Sequence, residues 1–176
     1  GINVRIGGGL LTLPKDKPGL SSMVAYAFGG GGLKAHSSDE LQRLLAGKSV
    51  GTGLNAGEDA FALGGRTTPE DLLLQLQLMR AYVTDAGYRE EGDRQFQKAL
   101  DQLYQQLKHD PNGVMADEVA SCMHGNDPRF GYPDKEEMAK RTSAEAKSWV
   151  QPHLDSAYLE MSIVGDFDLE TAVDAV

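Results

Sequence analysis

The sequence has 176 residues, with 17 Lys plus Arg against 26 Asp plus Glu and a formal charge of −9. At 40% hydrophobic and 24% charged residues, it has ordinary globular composition, which excludes collagen-like, coiled-coil and disordered classes. The acidic balance, with no cluster of Lys and Arg, excludes nucleic acid as a partner, and no run approaches the ~20 apolar residues of a membrane span. Cys122 is the only cysteine, so no internal disulfide forms and cysteine usage leaves a periplasmic and a cytoplasmic location equally open. Glycine accounts for 21 of the 176 residues, about 12% against an average near 7%, and many of these fall between Gly7 and Gly65.

In chain order, Ile2, Val4 and Ile6 alternate with Asn3 and Arg5, the period of a half-buried strand. From Pro18 the spacing of Leu20, Met23, Val24, Ala27 and Phe28 predicts an amphipathic helix, closed by Gly29 to Gly32. Ser37 with Glu40 three residues on predicts a capping box for a second helix carrying Leu41, Leu44 and Leu45, with Gly47 as its stop. Val50, Thr52, Leu54 and Ala56 alternate, as do Ala60 or Phe61 through Leu63, and Asn55-Ala56-Gly57-Glu58-Asp59 between them predicts an antiparallel hairpin. Thr68 as N-cap and Pro69 in the first turn predict a leucine-rich helix with Leu72, Leu76, Met79 and Val83 on one face and Leu74, Leu78 and Tyr82 widening it. After Gly87 a long helix opens with Glu90, Glu91 and Asp93 at its positive end, carries Phe96, Leu100, Leu103 and Leu107, and stops at Asp110-Pro111. A short helix over 114–123, a loop over 125–133, a helix over 142–152, a strand over 158–164 and a helix from Asp168 to Val176 complete the expectation. Strands and helices mix without βαβ regularity, so the fold class is α+β, a mainly antiparallel sheet covered on one face by helices, in a single domain over residues 1–176.

The glycines invite phosphate-loop readings that do not survive. Gly47-Lys48-Ser49 lacks the glycine five residues earlier, where Gln42 stands, and Gly51 to Ala56 fits G-x-G-x-x-A only by letter, inside a strand. They read more simply as turn and strand-end residues. Cys122 and His124 offer two metal ligands and His109 with Asp110 two more, but no spacing completes a set, and His36 and His153 read as surface residues. No nucleophile, base and orienter assemble into another mechanism.

Several stretches together resemble the pitrilysin/insulinase family of zinc peptidases and their processing-peptidase relatives. These are Gly7-Gly8-Gly9-Leu10-Leu11 with Lys17-Pro18-Gly19-Leu20-Ser21, Ser38-Asp39-Glu40-Leu41 through Gly47-Lys48-Ser49-Val50, Thr67-Thr68-Pro69-Glu70-Asp71-Leu72, and Ile163-Val164-Gly165-Asp166-Phe167-Asp168. Active members carry H-x-x-E-H on the first helix and a later glutamate. Set against that motif, this sequence has Ser22 and Tyr26 where the histidines belong, Ala25 where the base belongs, and Gln102 or Leu103 at the later glutamate. The resemblance therefore implies a metallohydrolase-type half without zinc and without catalytic residues of its own, a segment of a longer two-half chain. It implies a zinc-bearing half as partner, on the same chain or in another subunit, and a peptide substrate enclosed between them, with Arg129 and Tyr132 as candidate substrate contacts. The alternative is a catalytically dead scaffold or assembly subunit of the same family.

Overall fold

The computed structural model describes residues 1–174. In β1 (Ile2–Gly7), Ile2, Val4 and Ile6 are buried while Asn3 and Arg5 face solvent, as the alternation predicts. A 3-10 turn (Gly9–Thr12) leads to α1 (Leu20–Gly29), whose stripe of Leu20, Met23, Val24, Ala27 and Phe28 is wholly buried. No side chain caps this helix. Burying its larger apolar side chains is worth roughly 1.5–3 kcal/mol each, enough to hold it without one.

α2 (Ser38–Leu44) opens with the expected capping box, the Ser37 N–H donating to the Glu40 carboxylate at 2.8 Å and the Glu40 N–H to the Ser37 hydroxyl at 3.3 Å. It ends before Gly47, because its last turn already closes at Leu45 on the Leu41 carbonyl; Gly47 takes a φ of 79° in the turn that follows. β2 (Thr52–Ala56) and β3 (Ala60–Gly65) make the expected hairpin.

α3 (Leu72–Asp85) starts later than a cap at Thr68 requires. Thr68 supplies only a carbonyl to the Asp71 N–H at 3.2 Å, and the Asp71 carboxylate is drawn away to the Ser49 N–H at 2.8 Å and the Lys48 amine at 3.2 Å. A tie to the approach of β2 thus displaces the local cap. The helix also buries a polar residue, Gln75, whose side-chain carbonyl accepts the Gly51 N–H at 2.8 Å.

α4 (Glu90–His109) buries Gly92, Phe96, Leu100 and Leu107. Gly92 marks its crossing with α1: a Cβ there would stand 2.7 Å from the Tyr26 carbonyl oxygen and 3.0 Å from the Ala27 Cα. The helix stops before Pro111, yet helical backbone resumes at once. α5 (Pro111–Val114) takes Pro111 as its first residue, with the Asp110 carboxylate accepting the Asn112 N–H at 2.8 Å, and a π-helical turn (Met115–Val119) joins it to α6 (Ala120–Met123). The same Asp-Pro pair that ends one helix starts the next, three residues ahead of the expected one.

α7 (Lys135–Met138) is a single turn, and α8 (Ser143–Ser156) starts from a Thr142–Glu145 capping box. It also uses Asp93, whose carboxylate accepts the Ser143 N–H at 2.6 Å and hydroxyl at 2.5 Å. The helix runs past Pro152, which removes one backbone bond, because buried Trp149, Val150 and Leu154 hold it to the core on both sides. His153 is half-buried against Phe61, ring centroids 5.4 Å apart, and so is not the surface residue the sequence suggests. β4 (Leu159–Ile163) and α9 (Leu169–Asp174) follow; the rest of the helix expected through Val176 lies outside the described residues.

The sheet order is β2-β3-β1-β4 with every pair antiparallel. Helices α1, α3 and α8 cover one face, with α4 packed on α1 and α8, around a core that includes Phe28, Phe61, Phe96 and Trp149. The cover stops short of β4: Leu159 and Met161, in register with buried Ile6 and Val4, are 46% and 38% exposed.

Candidate functional site

A cleft of about 440 Å³ opens beside the first half of α1, and it brings together residues far apart in sequence. Ser22 and Ala25 form one wall, Asn55, Ala56 and Glu58 at the end of the hairpin another, and His124, Phe130 and Tyr132 close it from the far side. Of the four positions matched to metal-site residues, Ser22 and Ala25 line this cleft. Tyr26 points its half-buried ring at Phe96, centroids 5.3 Å apart, and Gln102 lies exposed on α4, while Leu103 packs on the core. This donor set does not fit a zinc ion. A neutral serine hydroxyl, a methyl group and a packed phenol offer no imidazole, thiolate or carboxylate ligand. Nor do the scattered pairs converge: Cys122 and His109 are exposed, and among the described residues no three His, Cys, Asp or Glu side chains are placed to hold a metal.

Arg129 lies at the cleft rim with its guanidinium largely committed. Nε donates to Asp127 Oδ1 at 2.9 Å, Nη2 to Oδ2 at 2.7 Å and Nη1 to the Leu11 carbonyl at 2.8 Å. This bidentate pair holds the Asp127 carboxyl well below the usual carboxylate range, first through the side-chain bonds and then through the Arg129 N–H. Arg129 is thereby a clasp that fastens the 124–133 loop to the segment after β1. Tyr132 is half-buried, its N–H donating to Asp117 Oδ1 at 2.9 Å, and the Tyr104 hydroxyl, its pKa pushed up to about 12 by burial and then by Asp117, donates to the Pro133 carbonyl.

The hairpin contributes an open edge. The Gly57 N–H donates to the Ala60 carbonyl at 2.8 Å across a two-residue turn, which makes 55 with 62 and 53 with 64 the bonded pairs. Thr52, Leu54 and Ala56 therefore direct their backbone N–H and C=O groups to the free side of β2, which ends at the cleft. Sheet edges of this kind can in general pair with an added extended strand.

Sequence reasoning singled out Ser22, Ala25, Arg129 and Tyr132 but missed Glu58 and the stack of His124 on Phe130. The hairpin turn was legible, but nothing in the residues announced that position 58 would meet position 124.

No family's sequence profile matches the chain, and no curated protein does. Among solved structures, the periplasmic protease PqqL from Escherichia coli matches 99% of this chain at 19% identity and a TM-score of 0.71. A protease from Helicobacter pylori matches 99% at 12% identity and a TM-score of 0.74, and the first half of PqqL 99% at 14% and 0.69. The chain spans 19% of the PqqL chain, 43% of the Helicobacter chain and 39% of the PqqL half. In fold, the chain is similar to part of each of these proteases, as the resemblance to the pitrilysin/insulinase type implies.

Proposed function

We propose that this chain is the metal-free part of a zinc peptidase of that type, enclosing and positioning a peptide for a zinc-bearing half that cuts it. The observation that carries the reading is a cleft beside the open edge of β2 lined by Ser22 and Ala25, the residues that by resemblance stand where a ligand and the base belong. The fold neighbours support it as well, since in each the matching part is less than half of a longer chain. In this reading Tyr132 contacts the peptide and Arg129 keeps the loop that bears it in place. The test is to measure zinc by elemental analysis of the purified chain, screen it for cleavage of unfolded peptides, and titrate labelled extended peptides against it. Peptide binding without stoichiometric zinc or cleavage is expected. One tightly held zinc per chain, or cleavage by the chain alone, overturns the reading.

The exposed row of Leu159 and Met161 favours a second reading, a catalytically inactive scaffold that docks through β4. A chain that binds no peptide but assembles with a partner through that row supports the second over the first.

A further inference from the structure

At the mouth of the cleft the His124 ring and the Glu58 carboxylate face each other. His124 Nδ1 lies 2.7 Å from the Ala120 carbonyl oxygen. A carbonyl only accepts, so Nδ1 carries the ring proton, and in the neutral imidazole Nε2 presents a lone pair. That lone pair is 3.9 Å from Glu58 Oε1. The ring cannot swing away freely, because it stacks on Phe130 at a centroid distance of 3.8 Å with the planes 4° apart, and the Phe130 N–H is anchored on the Asp127 carbonyl at 3.0 Å. Glu58 has no other side-chain partner among the described residues, and its side chain is 72% exposed at the tip of the hairpin. Two acceptors at this separation are bridged by one nitrogen at an ordinary bond length of about 2.9 Å from each.

The charge balance says which nitrogen. Arg129 is tied to Asp127, and the Lys15 amine stands 3.5 Å from the same carboxylate. Both of these cations sit on Asp127 and neither pairs with Glu58, which is left without a cation of its own among the described residues, on a chain of charge −9. We infer that Glu58 and His124 form a subsite for a primary ammonium group of the bound peptide, the amine bridging the carboxylate and Nε2. The inference rests on the peptide-binding reading above and adds a substrate class to it: peptides with a lysine, or a free amino terminus, beside the residues paired with β2.

Fluorescence anisotropy on the chain tests it with three labelled decapeptides: an N-acetylated one with a central lysine, the same with norleucine, and the norleucine peptide with a free amino terminus. The lysine peptide is expected to bind about five-fold more tightly than its acetylated norleucine counterpart, the upper range for a partly exposed ion pair. In Glu58→Gln, and in His124→Phe, which keeps the stack, the preference falls below about two-fold while the thermal melt stays in place. If the free-amine peptide alone shows a preference that Glu58→Gln removes, the subsite stands and takes the amino terminus. Equal binding of all three peptides, or a lysine preference that survives Glu58→Gln, overturns the subsite and leaves the peptide reading intact. Failure of every peptide to bind overturns both.

Discussion

Gly9→Ala is the sharpest test of how the site is built. Gly9 has a φ of 68°, and a Cβ there would lie 2.4 Å from the Gly57 carbonyl oxygen and 2.5 Å from the Ala60 nitrogen, both backbone atoms of the hairpin. No side chain can turn aside to relieve this contact. The left-handed conformation costs alanine about 1–2 kcal/mol, and forcing extra volume into a packed contact costs typically about 1–3 kcal/mol more. The sum, about 2–5 kcal/mol, is a large share of a domain's usual 5–15 kcal/mol and lowers Tm by roughly 5–15 °C at this chain length. Two other glycines calibrate the number. Gly47 also has a positive φ, 79°, but nothing lies within 4 Å of its would-be Cβ, so Gly47→Ala isolates the conformational cost. Gly29 ends α1 with open space around it, and Gly29→Ala is neutral or stabilising by up to ~1 kcal/mol. Thermal and urea melts of the three variants should rank them Gly9, Gly47, Gly29 from most to least destabilised. If Gly9→Ala melts together with Gly47→Ala, the close approach of the 3-10 turn to the hairpin is wrong, and with it the wall of the cleft formed by Asn55, Ala56 and Glu58.

Asp93→Ala removes the carboxylate that accepts both the N–H and the hydroxyl of Ser143; a loss of about 1–2 kcal/mol is expected, with hydrogen exchange accelerating first at the start of α8. If exchange rises uniformly along the helix, the cap is not what holds that end. Asp127, held below its ordinary pKa of 3.8 chiefly by Arg129, contributes stability that is fully present above that value and is lost as pH falls through the depressed folded value. Asp127→Asn should therefore be less stable than the native chain at neutral pH and show a shallower decline between about pH 4 and pH 2. Parallel acid limbs for the two chains in far-UV circular dichroism would rule out that carboxylate as a contributor.

Much of the fold was legible because its signals are local. The stripe of α1, the Ser37–Glu40 cap, the hairpin turn and the apolar face of α4 each follow from residues within a few positions of one another. What was not legible depends on distant partners. Thr68 has every property of a cap, but the Asp71 carboxylate is recruited by Ser49 and Lys48, and the helix starts where that contact leaves it. Gln75 sits inside a leucine-rich run and is buried because Gly51, 24 positions away, needs an acceptor. Pro152 reads as an end, yet packing on either side carries α8 through it. The site divides along the same line. Ser22 and Ala25 are set at the cleft by their helix, whereas Gln102, chosen by counting along α4, falls on the exposed side with Leu103 inward. Arg129 was picked for its chemistry, and its partner two residues away redirects that chemistry into holding a loop.

The uncovered side of β4 has a colloidal consequence. Leu159 and Met161 offer an apolar strip on an edge strand whose hydrogen-bonding side is also unpaired, the combination that lets sheets of different molecules stack end to end. Only Glu160 in Leu159–Ile163 carries a charge, so the strand itself does little to prevent this. The chain's net −9 supplies the opposition instead, as a repulsion between copies that reaches about 10 Å in 0.1 M salt and only about 3 Å in 1 M. Dilute salt should keep the protein dispersed, while concentrated salt, or a pH near its isoelectric point of about 4.8, removes the barrier and brings strand edges together.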